Sequence, residues 1–522
     1  MKIERTRNAS RNIVFGIILK AYQIFAPFLM RTAMIYFMGV QYLGLNSLFT
    51  SILQVLNLTE LGVGSAMVYS MYKPIADDDT KTICALMRLY RLYYRIIGLV
   101  IAVIGLFLTP FIPYLVKSDL PVGLNIYILY LLNLAATVIS YWLFAYKNAL
   151  FQAHQRIDIP NKITLVTNTF QYGLQLIIII IIKDYYLYVL VTLLTQALTN
   201  IVTAMAATKK YPEYHPKGKL ENQIVKGINQ RIRDLFTSKL GSVIVNSADT
   251  VVISTFLGLT MLAVYQNYYF ILTSIIGIIT IIFQSCTAGI GNSVIVETKE
   301  KNFNDLKKFT FLIAWIAGFC TCCLLCLYQP FMEIWVGKDL MLGFSAVICF
   351  CIYYFVNEIN QLLNTYKDAA GIWHEDRFRP LVTAIVNVGM NLLTVQFWGI
   401  YGVLLSTVLS MLFVGMPWLL YNLFTVLFNR EQFSIYFKEL IKYIMVVVFS
   451  CVSCYFVCQL FTFNKWTTMI IRAVICCIFP NIIYFIIYRR TVEFQQSIQL
   501  IDNITKGKLK LSRFVQLDSK KS

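Results

Sequence analysis

Apolar stretches recur about fourteen times between Ile13 and Tyr488, most of them over 20 residues. Each is long enough to cross a hydrocarbon core of about 30 Å as a helix. The expectation is an all-α polytopic membrane protein with about 14 transmembrane helices. The spans run at 13–38, 44–72, 90–116, 124–146, 161–182, 185–207, 232–257, 262–296, 309–328, 341–366, 380–398, 400–424, 441–460 and 467–488.

The charges support this count. Of 45 Lys and Arg, 38 lie in alternate segments that include both termini, counting the helix ends beside each loop. The intervening loops hold Lys117, Lys183, Lys338 and Lys465, and Lys20, Arg31 and Arg472 sit inside spans. Basic residues gather on the cytoplasmic side, so the alternation predicts that both termini are cytoplasmic. The net charge of +19 is then a topology signal. Spread over eight segments, it forms no groove-sized patch, and no nucleic-acid partner is expected. Thirteen cysteines, including Cys320, Cys322, Cys323 and Cys326 and the series Cys451, Cys454, Cys458, lie mostly in apolar helices. They read as small packing residues, and no metal or other cofactor is expected. A polar basic segment leads directly into a full-length first span without a small-residue cleavage site, so no cleavable signal is expected.

The most hydrophilic interruption, 208–231, divides the chain and reads as a cytoplasmic linker. The two sides of it resemble each other. YKNALFQAHQRIDIP, ending at Pro160, aligns without a gap on YKDAAGIWHEDRFRP, ending at Pro380, at an offset of 220. FMGVQYLG from Phe37 matches FLGLTMLA from Phe256 at an offset of 219. Six helices per copy is an even number, so the copies share one orientation and are related by a pseudo-two-fold axis along the membrane normal. The expected organisation is an N-lobe at 1–207, the linker at 208–231, a C-lobe at 232–424, a helix pair at 425–488 and a basic tail at 489–522.

Polar residues in the spans form stripes at helical spacing. The seventh span carries Lys239, Ser242, Asn246 and Asp249. The first carries Lys20, Gln23, Pro27 and Arg31. The fifth has Thr164, Asn168, Gln171 and Gln175, and its repeat mate has Thr383, Asn387, Asn391 and Thr394. The tenth adds Asn357, Gln361 and Asn364, with Glu358 and Asn360 flanking, and the second has Ser47, Gln54, Asn57 and Glu60. Amide and hydroxyl stripes serve equally as interhelical glue, at about 0.6 kcal/mol per hydrogen bond. An ionised group at mid-bilayer costs at least about 2.5 kcal/mol unless it faces water or a partner. Lys20 and Lys239 are placed to snorkel toward the cytoplasmic interface. Arg31, Glu60 and Asp249 lie deeper, where they either pair with one another or face a substrate cavity. Pro27, between the two cations of the first span, removes a backbone hydrogen bond and marks a hinge or a static kink. His154 and His374, at equivalent helix ends, read as loop-packing residues.

The chain has no GxxxxGK[ST] phosphate-binding loop, so it is not expected to hydrolyse ATP. No outer loop exceeds about a dozen residues, which argues against a membrane glycosyltransferase or polymerase, and no catalytic residue is assigned.

LTELGVGSAMVYSMYKPIADDD from Leu58, GSVIVNSADTVVISTFLG from Gly241 and YKDAAGIWHEDRFRP from Tyr366 resemble the polysaccharide transporters of the multidrug/oligosaccharidyl-lipid/polysaccharide (MOP) exporter superfamily, and Wzx-type oligosaccharide flippases in particular. The resemblance covers about residues 13–490. It implies a non-enzymatic flippase of the bacterial inner membrane. Such a protein moves an undecaprenyl-pyrophosphate-linked oligosaccharide to the outer leaflet for surface polysaccharide biosynthesis, with a polymerase and assembly proteins as partners. A pyrophosphate suits Arg31, Lys20 and Lys239. Sugars suit Asn168, Gln171, Asn246, Asn357, Gln361, Asn387 and Asn391, while the polyprenyl tail stays in membrane lipid. Family ion coupling suits Glu60 and Asp249 as carriers of a proton or monovalent cation. The alternative is an ion-coupled multidrug or small-molecule exporter of the same superfamily.

Overall fold

The computed structural model describes residues 5–504 apart from 61, 118, 119, 122 and 462, with most of their side chains; Ser242 and Asn246 are among the side chains outside the description. The described residues are helical and contain no strand. The α-helices are α1 (Arg5–Phe37), α2 (Val40–Leu56), α3 (Val63–Ala76), α4 (Thr80–Leu108), α5 (Ile126–Trp142), α6 (Asn148–Ala153), α7 (Asp158–Ile177), α8 (Tyr185–Lys210), α9 (Asn222–Leu257), α10 (Leu259–Val296), α11 (Lys299–Trp335), α12 (Phe344–Ala369), α13 (Arg379–Trp398), α14 (Ile400–Ser410), α15 (Met416–Asn422), α16 (Arg430–Gln459), α17 (Lys465–Tyr488) and α18 (Val492–Ile504).

Each of the fourteen apolar stretches is built on helix. Among the described residues eleven helices are long and apolar enough to cross a membrane, or twelve if α5 and Ala145–Ala153, bent by 48°, form one span. Part of α1 lies outside the described side chains. The other exception is a correction to the expected second span. At 44–72 the chain does not form one helix, because α2 stops at Leu56, a 3-10 turn covers Asn57–Glu60, and α3 starts after Gly62. Gly62 has φ +91°, a conformation that only glycine adopts without strain. Glu60 therefore sits at a break between two half-helices. Pro27, by contrast, lies within the unbroken α1.

The repeat is visible in the joints. Gly39, between α1 and α2, has φ +119°, and Gly258, between α9 and α10, has φ +89°, at the 219-residue offset. The seams between successive helices are polar in both copies. Gln175 Nε2 on α7 donates to Thr192 Oγ1 on α8 at 2.7 Å, and Thr199 donates to Thr167 at 2.8 Å. On α13 and α14 the counterparts are Asn387 Nδ2 to Thr407 Oγ1 at 3.1 Å and Thr394 with Ser406 at 2.9 Å. Gly402 brings these two backbones together, since a Cβ there would collide with the Thr394 carbonyl. Large apolar side chains such as Phe107, Phe397 and Phe413 remain exposed, as lipid-facing residues do.

Contacts group the chain into two compact units, Met1–Gln266 and Asn267–Ser522. The linker at 208–231 suggests an earlier boundary, but the far end of α9 packs with the first unit. Ser254 Oγ donates to Leu115 O at 2.7 Å, Lys117 Nζ donates to Phe256 O at 2.5 Å, and Gly44 of α2 meets the Leu259 carbonyl so closely that any Cβ would collide. In the second unit α11 is the central helix, packing against α12, α16, α17 and α18. Trp315 Nε1 of α11 donates to Asn481 Oδ1 of α17 at 2.9 Å.

Candidate functional site

The break between α2 and α3 builds the best-defined polar site of the first unit. Glu60 ends the 3-10 turn just before the N-terminus of α3, where unpaired N–H groups and the helix dipole favour negative charge. Its two carboxylate oxygens accept hydrogen bonds from Tyr94 on α4 and Tyr141 on α5. Tyr90, one turn from Tyr94, donates to it at 2.9 Å, and Asn57 Oδ1 lies 3.2 Å from the Tyr141 hydroxyl. No cation is bonded to Glu60 among the described residues. Among the described residues Glu60 therefore makes no ion pair with Arg31. The acid is instead held by two phenols.

Arg31 forms a second site. Its guanidinium donates to the Gln266 carbonyl at 3.4 Å, and the Gln266 side chain donates to Thr250 Oγ1 at 2.9 Å. This links α1, α10 and α9 beside Asp249, which is 7% exposed. Tyr188 of α8 lies within electrostatic range of Arg31, and Tyr185 stacks on Tyr188 with ring centroids 5.7 Å apart. Lys20 is half-buried on the same helix, and Lys239 is exposed on α9. Lys20, Arg31, Lys239 and Asp249 all belong to the first unit. Asn246 lies outside the described side chains.

The amide residues divide into two groups. Asn387 and Asn391 are fully buried, and the Asn391 amide donates to Asn387 Oδ1 at 3.4 Å. They belong to the α13–α14 seam and reach no surface. Asn168 and Gln171 on α7, and Asn357 and Gln361 on α12, are half-buried and keep polar surface. Gln171 reaches Gln175 at 3.4 Å.

Sequence reasoning ranked Glu358 only as a flanking residue. It is 0% exposed, and neither carboxylate oxygen has a hydrogen-bond partner among the described residues. The signal was available, for Glu358 is the only charged residue of α12 before Lys367. Burying a carboxyl group without partners is costly, and such costs persist mainly where function needs the group.

Two buried Arg–Asp clamps at the loops of the YK…P repeat were also missed. Arg156 holds Asp158 at 2.8 and 3.1 Å, with Asp158 fully buried at the start of α7. Arg379 holds Asp376 at 2.6 and 2.8 Å, and Asn422 and Lys367 join Asp376 at 3.1 and 3.5 Å. Nearby, His154 donates from Nδ1 to Leu150 O at 2.9 Å and stacks on Tyr211 at 4.3 Å, while its Nε2 is buried without a partner. Burial pushes the His154 pKa below the usual histidine value. His374, its repeat mate, is exposed.

No family model matches the sequence. No curated protein matches it either. Solved structures do match in fold. A lipid II flippase, MurJ, in an inward closed conformation aligns with TM-score 0.66 over 91% of this chain and 99% of its own, at 16% identity. An inward-facing multidrug resistance MATE family transporter of the MOP superfamily aligns with TM-score 0.61 over 81% of this chain and 99% of its own, at 15% identity. A Vibrio cholerae MATE transporter, VcmN, aligns with TM-score 0.56 over 81% and 97%, at 16% identity. The chain is thus a multi-pass membrane protein with the fold shared by flippases and multidrug transporters of the MOP superfamily.

Proposed function

We propose that this protein is a flippase that moves an undecaprenyl-pyrophosphate-linked oligosaccharide from the cytoplasmic to the outer leaflet of the bacterial inner membrane. The observation that carries this reading is length. The MATE transporter aligns over 81% of 522 residues, about 423, whereas the first twelve spans end at Leu427. The lipid flippase aligns over 91%, about 475, and so includes chain beyond twelve spans. Two further apolar helices, α16 and α17, fit a protein that handles a lipid rather than a small drug. Arg31 supplies the cation for a pyrophosphate, Asn168, Gln171, Asn357 and Gln361 offer amides to the glycan, and Glu60, Asp249 and Glu358 are the acids available for ion coupling. The polyprenyl tail stays in lipid, and the protein performs no chemistry on its cargo.

The test is flipping of a fluorescent undecaprenyl-pyrophosphate oligosaccharide in proteoliposomes. Native protein accelerates its appearance in the opposite leaflet, and Arg31→Gln loses most of that rate while remaining inserted and abundant. Absence of flipping by native protein, together with export of cationic dyes, would establish the multidrug alternative, which the three acids favour.

A further inference from the structure

The cysteines of the second unit converge on one point. Cys326 comes from α11, Cys454 and Cys458 from consecutive turns of α16, and Cys476 from α17. All four are at most 1% exposed, and their four Sγ atoms lie within 4.8 Å of one another. Two of the edges are 4.0 Å, between Cys326 and Cys454, and 3.8 Å, between Cys454 and Cys476. Small packing residues have no reason to aim four sulfurs at a common centre from three helices. A tetrahedral metal does: with Zn–S bonds of about 2.3 Å, the sulfur–sulfur edge of the tetrahedron is about 3.8 Å. These two edges match that value and are far longer than the bond of about 2.05 Å that a disulfide requires, and the remaining ones are at most 4.8 Å. All thirteen cysteines are free thiols.

A second observation points to a charged occupant. Four thiolates around a divalent ion carry two net negative charges, which an apolar core tolerates only beside a cation. Arg472 lies one turn before Cys476 on α17, within electrostatic range of Cys458. Its Nη2 donates to Gln459 Oε1 at 3.4 Å, next to Cys458, and its Nε is buried with no hydrogen-bond partner. A metal-bound thiolate supplies an acceptor that a thiol supplies only weakly. Leu327, Tyr455, Ile475 and Phe479 pack around the four sulfurs and exclude water.

We propose that Cys326, Cys454, Cys458 and Cys476 bind a thiophilic d10 cation, Zn2+ or Cu+, as a structural cage that ties α16 and α17 to α11. Binding releases the thiol protons, so occupancy falls in acid. The ion sits in the appended helix pair's junction with α11, and no transport step passes through it. A vacant cage leaves the three helices held by packing and by hydrogen bonds such as that of Trp315 to Asn481.

The full chain is purified in detergent, and its zinc and copper are measured by elemental mass spectrometry. About one ion per chain is expected, zinc or copper identifying which d10 ion the site takes. Reduced, metal-stripped protein is then titrated with Co2+. Thiolate-to-cobalt charge-transfer bands and the visible bands of tetrahedral Co2+ appear to one equivalent and vanish on adding Zn2+. Cys454→Ser and Cys476→Ser lose these bands, while Cys349→Ser, outside the cage, keeps them. If a cage variant does not elute as a folded species, the native protein alone decides. The proposal fails if as-purified protein carries neither ion and reduced protein gives no tetrahedral cobalt spectrum. It fails equally if the cobalt spectrum persists in folded cage variants, or if the native chain is two hydrogens light through a Cys326–Cys454 disulfide.

Discussion

Among single residues, Glu60 and its phenols are the most informative targets. Tyr141→Phe removes one of the two phenolic hydrogen bonds that hold the Glu60 side chain and leaves one of its oxygens without that donor. In proteoliposomes Glu60→Gln is expected to lose the response of flipping to a pH gradient while keeping its response to voltage. An unchanged pH response in Glu60→Gln assigns coupling elsewhere, and Glu358→Gln and Asp249→Asn are the next variants to measure. His154 gives a separate pH effect. Its folded-state pKa is depressed by burial, so the unfolded chain binds a proton first as pH falls. Stability from this residue is fully present above about pH 6.5 and is lost as pH falls from there through the lower folded-state pKa. Once protonated, Nε2–H has no acceptor among the described residues. Melting temperature measured from about pH 7.5 to about pH 5 should fall more for native protein than for His154→Phe; equal slopes dismiss His154 as the sensor.

At the level of helices, the positions where the chain breaks or approaches itself determine what can move. Gly44→Val forces a side chain into the Leu259 carbonyl, a backbone group that cannot rotate aside. Overpacking of this kind costs about 1–3 kcal/mol, and the expected result is a lower melting temperature with impaired transport. Gly62→Ala strains the α2–α3 break by about 1–2 kcal/mol and should displace Glu60, so pH coupling should decline more than protein level does. Apolar length alone made the spans and the Gly39 and Gly258 joints legible, because lipid demands continuous helix wherever no partner intervenes. The α2–α3 break was less legible. Its residues, NLTELG, place two leucines among Asn57, Thr59 and Glu60 between apolar stretches, so the span reads through them, and only these polar residues and Gly62 mark the break. Asn387 and Asn391 were equally ambiguous. An amide stripe has the same spacing whether it faces a sugar or a neighbouring helix, and the partner, Thr407, lies on another span. The cysteine cage was illegible for the same reason, since three helices supply its corners.

On the scale of the whole protein, the proposed cargo would make voltage a sufficient drive. A headgroup with two negative charges moving outward across 100 mV, inside negative, gains about 4.6 kcal/mol. Flipping in proteoliposomes should therefore accelerate when a potassium diffusion potential makes the donor side negative and slow when its sign is reversed; indifference to sign excludes net movement of charge. Reporter fusions should place Lys217 on one face and Lys117 and Lys338 on the other, and finding Lys217 and Lys338 together would dismantle the span count. The two halves, though built alike, are not interchangeable. The aligned loops set Arg156 against Asp376, so each half keeps an arginine–aspartate clamp with its ends exchanged. A hybrid that swaps only the central residues of these loops would set like charges side by side in both copies. Duplication has here preserved an interaction while reversing its sense, and the halves of this molecule have become complementary parts that no longer spell each other.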